Sequence, residues 1–174
     1  MFLAAICPPN NAFTHFLKLK QELFRQSASL SAWALRPMVP FCLTGDEVPE
    51  PEKSRLPRLP ERGISAAELL VEGDQLYLGS EELSEYCGRL TSALFPQAEP
   101  SGCGFPVCRG LHLADLSEKP GMLDVARSLF TGLPESSVVW RSASLVFIKT
   151  ELSGSRWWER IVLEELWERP LLIT

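Results

Sequence analysis

The chain has 174 residues, 45% of them hydrophobic and 22% charged, with a formal net charge of −5. A chain of that size buries a substantial core, and its composition belongs to a globular protein, not a disordered one. The acidic balance argues against sequence-blind binding along DNA or RNA, which needs a broad basic face, but leaves room for a small basic pocket.

Phe2–Cys7 is an apolar run closed by Pro8-Pro9 and reads as a buried strand. It has no basic lead and is too short for a signal peptide, and no apolar run approaches the ~20 residues that cross a bilayer. A soluble, cytoplasmic protein with no membrane partner is expected. Asn10 or Asn11 can cap a helix on which Phe13, Phe16, Leu17, Leu23 and Phe24 recur at helical intervals, with Lys18, Lys20 and Glu22 between them. That helix ends in Ser27-Ala28-Ser29. After Trp33–Pro37, Val39, Phe41 and Leu43 alternate with Met38, Pro40 and Cys42, which predicts a strand. Its prolines place it at a sheet edge or beside a bulge.

Residues 46–63, with Pro49, Pro51, Pro57, Pro60 and mixed charges, read as a solvated loop. Ala67–Val71 and Leu76–Leu78 flank Glu72-Gly73-Asp74-Gln75, a hairpin turn. Ser80-Glu81-Glu82 opens a helix that carries Leu83, Tyr86, Leu90 and Leu94 to Pro96. A Gly/Pro loop over 96–106 leads to a strand at Leu111–Leu116, then a helix over 120–130. A central strand over 138–148 and a last strand from Trp157 to Leu166 close the chain. Hairpin-joined strands predict a single α+β domain over 1–174 with antiparallel sheets, and two halves of similar plan hint at an internal pseudo-repeat.

Five cysteines, an odd and scattered set (Cys7, Cys42, Cys87, Cys103 and Cys108), indicate reduced thiols. Only Cys103 and Cys108 are close, and no second pair completes a zinc site, so neither a metal nor a cofactor is expected.

The opening Phe2-Leu3-Ala4-Ala5-Ile6 with Pro8-Pro9 and an amphipathic helix resembles that of the two-histidine phosphoesterases, also called bacterial 2′-5′ RNA ligases or RNA 2′,3′-cyclic phosphodiesterases. Trp33–Pro37 is similar to the segment before that family's first H-x-T strand, and Leu43–Val48 to the end of the strand and the turn after it. Ser144–Leu152, Gly154 and Trp157 resemble the family's final hairpin. The resemblance implies two pseudo-symmetric lobes, with two antiparallel sheets flanking a central cleft and helices outside. Each lobe would present one H-x-T motif, whose histidine and threonine share a face because strand side chains repeat every second residue. One histidine would take a proton, the other would give one, and the threonines would hold the phosphate.

The sequence departs from that pattern where the chemistry would lie. Alternation puts Met38, Pro40 and Cys42 on the cleft face of the first strand, none of them a histidine. In the second strand, one register sets Gly110 at the histidine position and His112 at the threonine. Shifting by two sets His112 at the histidine and Ala114 at the threonine. His15, beside Phe16 on the first helix, is expected in solvent and cannot rebuild the dyad. Arg36, Arg109, Arg141 and Lys149 are candidate phosphate-binding cations. Trp157-Trp158 is a candidate stacking platform for a base, and Cys42 a candidate nucleophile without an evident base.

Three readings follow. The first is a degenerate, monomeric phosphoesterase-like protein that binds a nucleotide, an RNA terminus or another phosphate ligand in the cleft without efficient turnover. The second is a weakly active cyclic phosphodiesterase that uses His112 as its catalytic residue. The third is a protein-interaction module on the same scaffold, favoured if Met38, Phe41 or tryptophan side chains fill the cleft.

Overall fold

The structure is a computed structural model that describes residues 1–45, 56–96, 109–131, 138–152, 156–159 and 161–173. Strand β1 (Phe2–Cys7) ends at the paired prolines, and Pro9 occupies the cap position of helix α1 (Asn10–Ser27), its carbonyl taking the Phe13 N–H at 2.8 Å. Both asparagines predicted as caps are thus helical. Ala28 stops α1 in the left-handed conformation, and the Ser29 hydroxyl then caps a five-residue helix, α2 (Leu30–Ala34), that hydrophobic periodicity did not reveal. Strand β2 (Val39–Thr44) follows.

Next come a short strand, β3 (Ile64–Ser65), and the hairpin of β4 (Glu68–Glu72) and β5 (Gln75–Gly79). Gly73 turns this hairpin with φ +57°, a conformation that disfavours any side chain. Ser80 caps α3 (Glu81–Leu94), where Leu83, Tyr86, Cys87, Leu90 and Leu94 form the buried stripe. Strand β6 (Leu111–Asp115) and helix α4 (Met122–Phe130) lie where the pattern predicted them. The predicted central strand divides into β7 (Val139–Trp140) and β8 (Ala143–Leu152). The last strand, β9 (Ile161–Leu171), begins after the two tryptophans and runs on through Pro170.

The fold is α+β with antiparallel sheets, in the strand orders β2-β1-β8-β9, β4-β5-β6 and β3-β7. The two larger sheets share a plan: β1–α1–β2 and β5–α3–β6 are each a strand, a helix and an antiparallel return to the neighbouring position. The second strands of these units approach one another, and the His112 N–H of β6 donates to the Met38 carbonyl just before β2 at 3.2 Å. One large core joins Phe16 and Leu23 of α1, Leu83 and Leu90 of α3, and Leu145 and Phe147 of β8. A smaller core covers the other face of the four-stranded sheet. Among the described residues, no helix is long and apolar enough to cross a membrane.

Candidate functional site

The site expected between residues 38–44 and 110–116 depends on side-chain alternation, and a one-residue bulge breaks that alternation in each strand. In β2, Ala4 pairs with Cys42 and Ala5 with Pro40, so Phe41 is the extra residue. Cys42 therefore turns into the large core, while Pro40, opposite Ala5, stays on the face of the small core with Met38. The expected shared face of Met38, Pro40 and Cys42 is corrected accordingly. All three are buried. Burial pushes the Cys42 thiol up to about 11, which disfavours the thiolate that a nucleophile needs.

In β6, Leu76 pairs with Ala114 and Tyr77 with His112, leaving Leu113 as the extra residue. Ala114 consequently joins Leu111 and Leu113 in the large core, and His112 faces the other way. The expected common face of His112 and Ala114 is corrected by the same device. Gly110 has no space for any side chain: a Cβ there would sit 2.2 Å from the Tyr77 ring and 2.7 Å from the Leu78 carbonyl oxygen. An imidazole at 110, as the first register would require of a catalytic lobe, is sterically excluded.

His112 is fully buried. Its Nε2 lies 3.1 Å from the Gln75 Oε1, and the Gln75 amide nitrogen donates to Asp115 Oδ2 at 2.8 Å. The amide oxygen thus faces the imidazole, which fixes the Nε2–H tautomer and leaves Nδ1 without a partner among the described residues. Asp115 Oδ2 also accepts from the Trp157 indole at 3.4 Å, and Asp115 Oδ1 from the Ser117 backbone at 3.0 Å. Lys20 enters from α1, itself buried, and its ammonium donates to the carbonyls of His112 and Leu113 at 2.9 and 3.0 Å. Two consecutive carbonyls converge on one cation at the bulge. Burial first, and the Lys20 charge second, hold the imidazole pKa well below its ordinary value, so His112 is neutral.

Above this cluster the small-core face is closed. Trp157 and Trp158, 6% and 8% exposed, pack on Leu3, Ala5, Met38, Val146 and Ile148. Trp157 meets His112 edge-on at 5.2 Å and Trp158 at 5.5 Å. The indoles occupy the face where a base would have to stack, so they do not form the expected open platform.

The candidate cations are not gathered. Arg36 pairs with Glu165 of β9 at 2.6 Å, on the small-core face beside Cys7. Lys149 lies next to Glu164, at 3.9 Å, on the opposite face of the sheet, and Arg109 and Arg141 are exposed outside this cluster. The other imidazole, His15, is half-buried on α1 and takes no part in the hydrogen bonds around His112. Cys103 and Cys108 lie outside the described residues, among which no three metal-ligating side chains cluster.

Sequence reasoning identified His112 but missed Lys20, Gln75, Asp115 and the inward turn of Trp157. Lys20 carried a signal, because it stands four residues after Phe16 and three before Leu23, on the apolar stripe. As for relatives, no family model, no curated protein and no solved structure matches this chain.

Proposed function

We propose that this chain is a cytoplasmic, degenerate protein of the two-histidine phosphoesterase type that has given up turnover and works as a protein-interaction module. One observation carries the reading: Trp157 and Trp158 fill the face on which a phosphate would have to sit, over a fully buried, neutral His112. General acid–base catalysis needs a group within hydrogen-bond reach of substrate, and this imidazole has already committed its Nε2–H to Gln75. The longest strand supplies the surface for a partner. β9 is a sheet edge paired only with β8 among the described residues, with Val162 and Leu166 exposed along it. An extended protein segment can add there as a further strand.

The test has two arms. Hydrolysis of 2′,3′-cyclic nucleotides should stay at the uncatalysed rate in the wild type and in His112→Ala. Saturable hydrolysis lost in His112→Ala would restore the reading of a weak phosphodiesterase. Saturable nucleotide binding that shifts the amide resonances of Met38 and His112 would restore the phosphate-binding one. In the second arm, Val162→Lys with Leu166→Lys should abolish strand addition by a bound partner and leave the fold intact; unchanged partner affinity would remove β9 as the interface.

A further inference from the structure

Away from the small-core face, the segment at Leu56–Leu59 and the end of β9 enclose a cavity of ≈ 330 Å³. Among the described residues, its apolar lining comes from Leu56, Pro57, Pro170, Leu171 and Leu172, and Arg58 and Arg169 line it as well. Among the described residues, no acidic side chain lines it and neither arginine has an acidic partner. That separates this pair from Arg36, whose charge is taken by Glu165.

The walls are tied together. The Leu59 N–H donates to the Leu172 carbonyl at 2.9 Å, Leu59 and Ile173 form a parallel bridge, and the Tyr86 hydroxyl holds the Pro57 carbonyl at 2.8 Å. Tyr86 and Leu59 are fully buried, so both walls are anchored in the core and the cavity is formed before anything enters it. Its size lies at the lower end of the range for small-molecule sites, roughly 300–1,000 Å³.

We propose that this cavity binds a small anion with an apolar body, a medium-length alkyl or aryl carboxylate or phosphate monoester. The leucines and prolines would take the body, and Arg58 and Arg169 the acidic head. Planar guanidinium forks pair with either oxyanion. A polar sugar phosphate would leave its hydroxyls against leucine and proline, which argues against the cavity as a nucleotide site.

Octanoate, octyl phosphate, octanol and inorganic phosphate are the probes, titrated into the full chain and followed by calorimetry and by amide resonances of Leu56, Arg58 and Leu171. Octanoate, octyl phosphate or both should saturate with shifts at those residues, and the difference between them tells carboxylate from phosphate. Octanol and inorganic phosphate should each bind at least tenfold more weakly than the anion that carries both parts. Arg58→Gln and Arg169→Gln keep the stems and remove the charge, and each should weaken binding roughly tenfold or more. Arg127→Gln, an exposed arginine paired with Asp124, makes the same change in net charge and should leave affinity unaltered. Octanol binding as tightly as octanoate, inorganic phosphate as tightly as octyl phosphate, full affinity in the double arginine variant, or no saturation by either anion would each overturn the proposal.

Discussion

The two faces of the four-stranded sheet are covered by different means. On one, α1, α3 and their neighbours bring whole amphipathic stripes, so burial is shared among many side chains. On the other, a cluster of only ten buried hydrophobic residues is found among the described residues, and the segment at 156–159 covers the face with two indoles. The sheet contributes Leu3 and Ala5 of β1 and Val146 and Ile148 of β8 to that cluster. A face built from regular elements distributes its stability, whereas a face closed by two tryptophans concentrates it. Single substitutions should therefore weaken the small face far more than the large one.

The largest effect is expected at Trp157. Trp157→Ala removes the ring that touches both His112 and Trp158, and should cost about 3–5 kcal/mol in urea unfolding. A loss below about 1 kcal/mol would mean that the small face is not a packed core, and the closed-site reading would fall with it. Next is Gly110→Ala. Tyr77 can rotate away, but the Leu78 carbonyl 2.7 Å from the new Cβ is backbone and cannot. Overpacking of this kind should cost about 1–3 kcal/mol, read as a lower unfolding midpoint. A neutral Gly110→Ala would show that position 110 tolerates a side chain and could once have carried a histidine.

How much of this was legible follows from the same contrast. The large face is made of periodic elements, so α1, α3, the β4–β5 hairpin and β6 stand out from apolar spacing, Ser80 and Gly73. The small face rests on exceptions to periodicity. A bulge shifts parity by one residue, and neither Phe41 nor Leu113 differs in type from an ordinary strand residue; Pro40 was the only hint. Trp157 and Trp158 read as the start of a strand, where neighbours would point apart, but they sit in a turn and both enter the core. Helix α2 is too short for its five residues to show a period, although Ser29 caps it. The orientation of His112 away from the large core could be read by counting. Its complete burial could not, because the residues that bury it lie far along the chain.

Acid acts on the small face, to which the imidazole belongs. Unfolded, His112 titrates near 6.5; folded, it does so well below that, with Lys20 of α1 beside its strand and Gln75 and Asp115 around its ring. As pH falls below about 6.5, the unfolded chain takes up a proton that the folded chain refuses. Stability present at neutral pH is therefore lost on acidification, by at most about 1.4 kcal/mol per pH unit. Glu118, whose carboxylate takes the Ser29 hydroxyl and the Leu30 and Ser31 N–H groups, has its pKa lowered from 4.5. Its contribution is lost only below that value, which leaves the window from about pH 5 to 6.5 to the imidazole. His112→Gln should flatten the stability profile there, by at most about 2 kcal/mol across the window. An equal slope in both proteins would show that the imidazole gains its proton without unfolding, and so is not sealed.

The smallest effect belongs at the rim. Arg36 and Glu165 meet in a 2.6 Å contact at the edge of the small face, where their side chains are 39% and 38% exposed. Water screens such a pair, so Arg36→Ala should cost no more than about 1 kcal/mol, and a double-mutant cycle with Glu165→Ala should give a coupling that shrinks with added salt. Cys7 adds a chemical readout of the same contact. Burial raises its thiol to about 11, and the Arg36 guanidinium is the main influence drawing it back. Removing Arg36 should therefore slow alkylation of Cys7 at a given pH, provided that the fold stays closed. Faster alkylation, or a loss near that of Trp157→Ala, would place the seal in the ion pair and not in the indoles. A small stability change with slower alkylation is the signature of a face whose strength lies in its two tryptophans and whose rim only tunes the charge beside it.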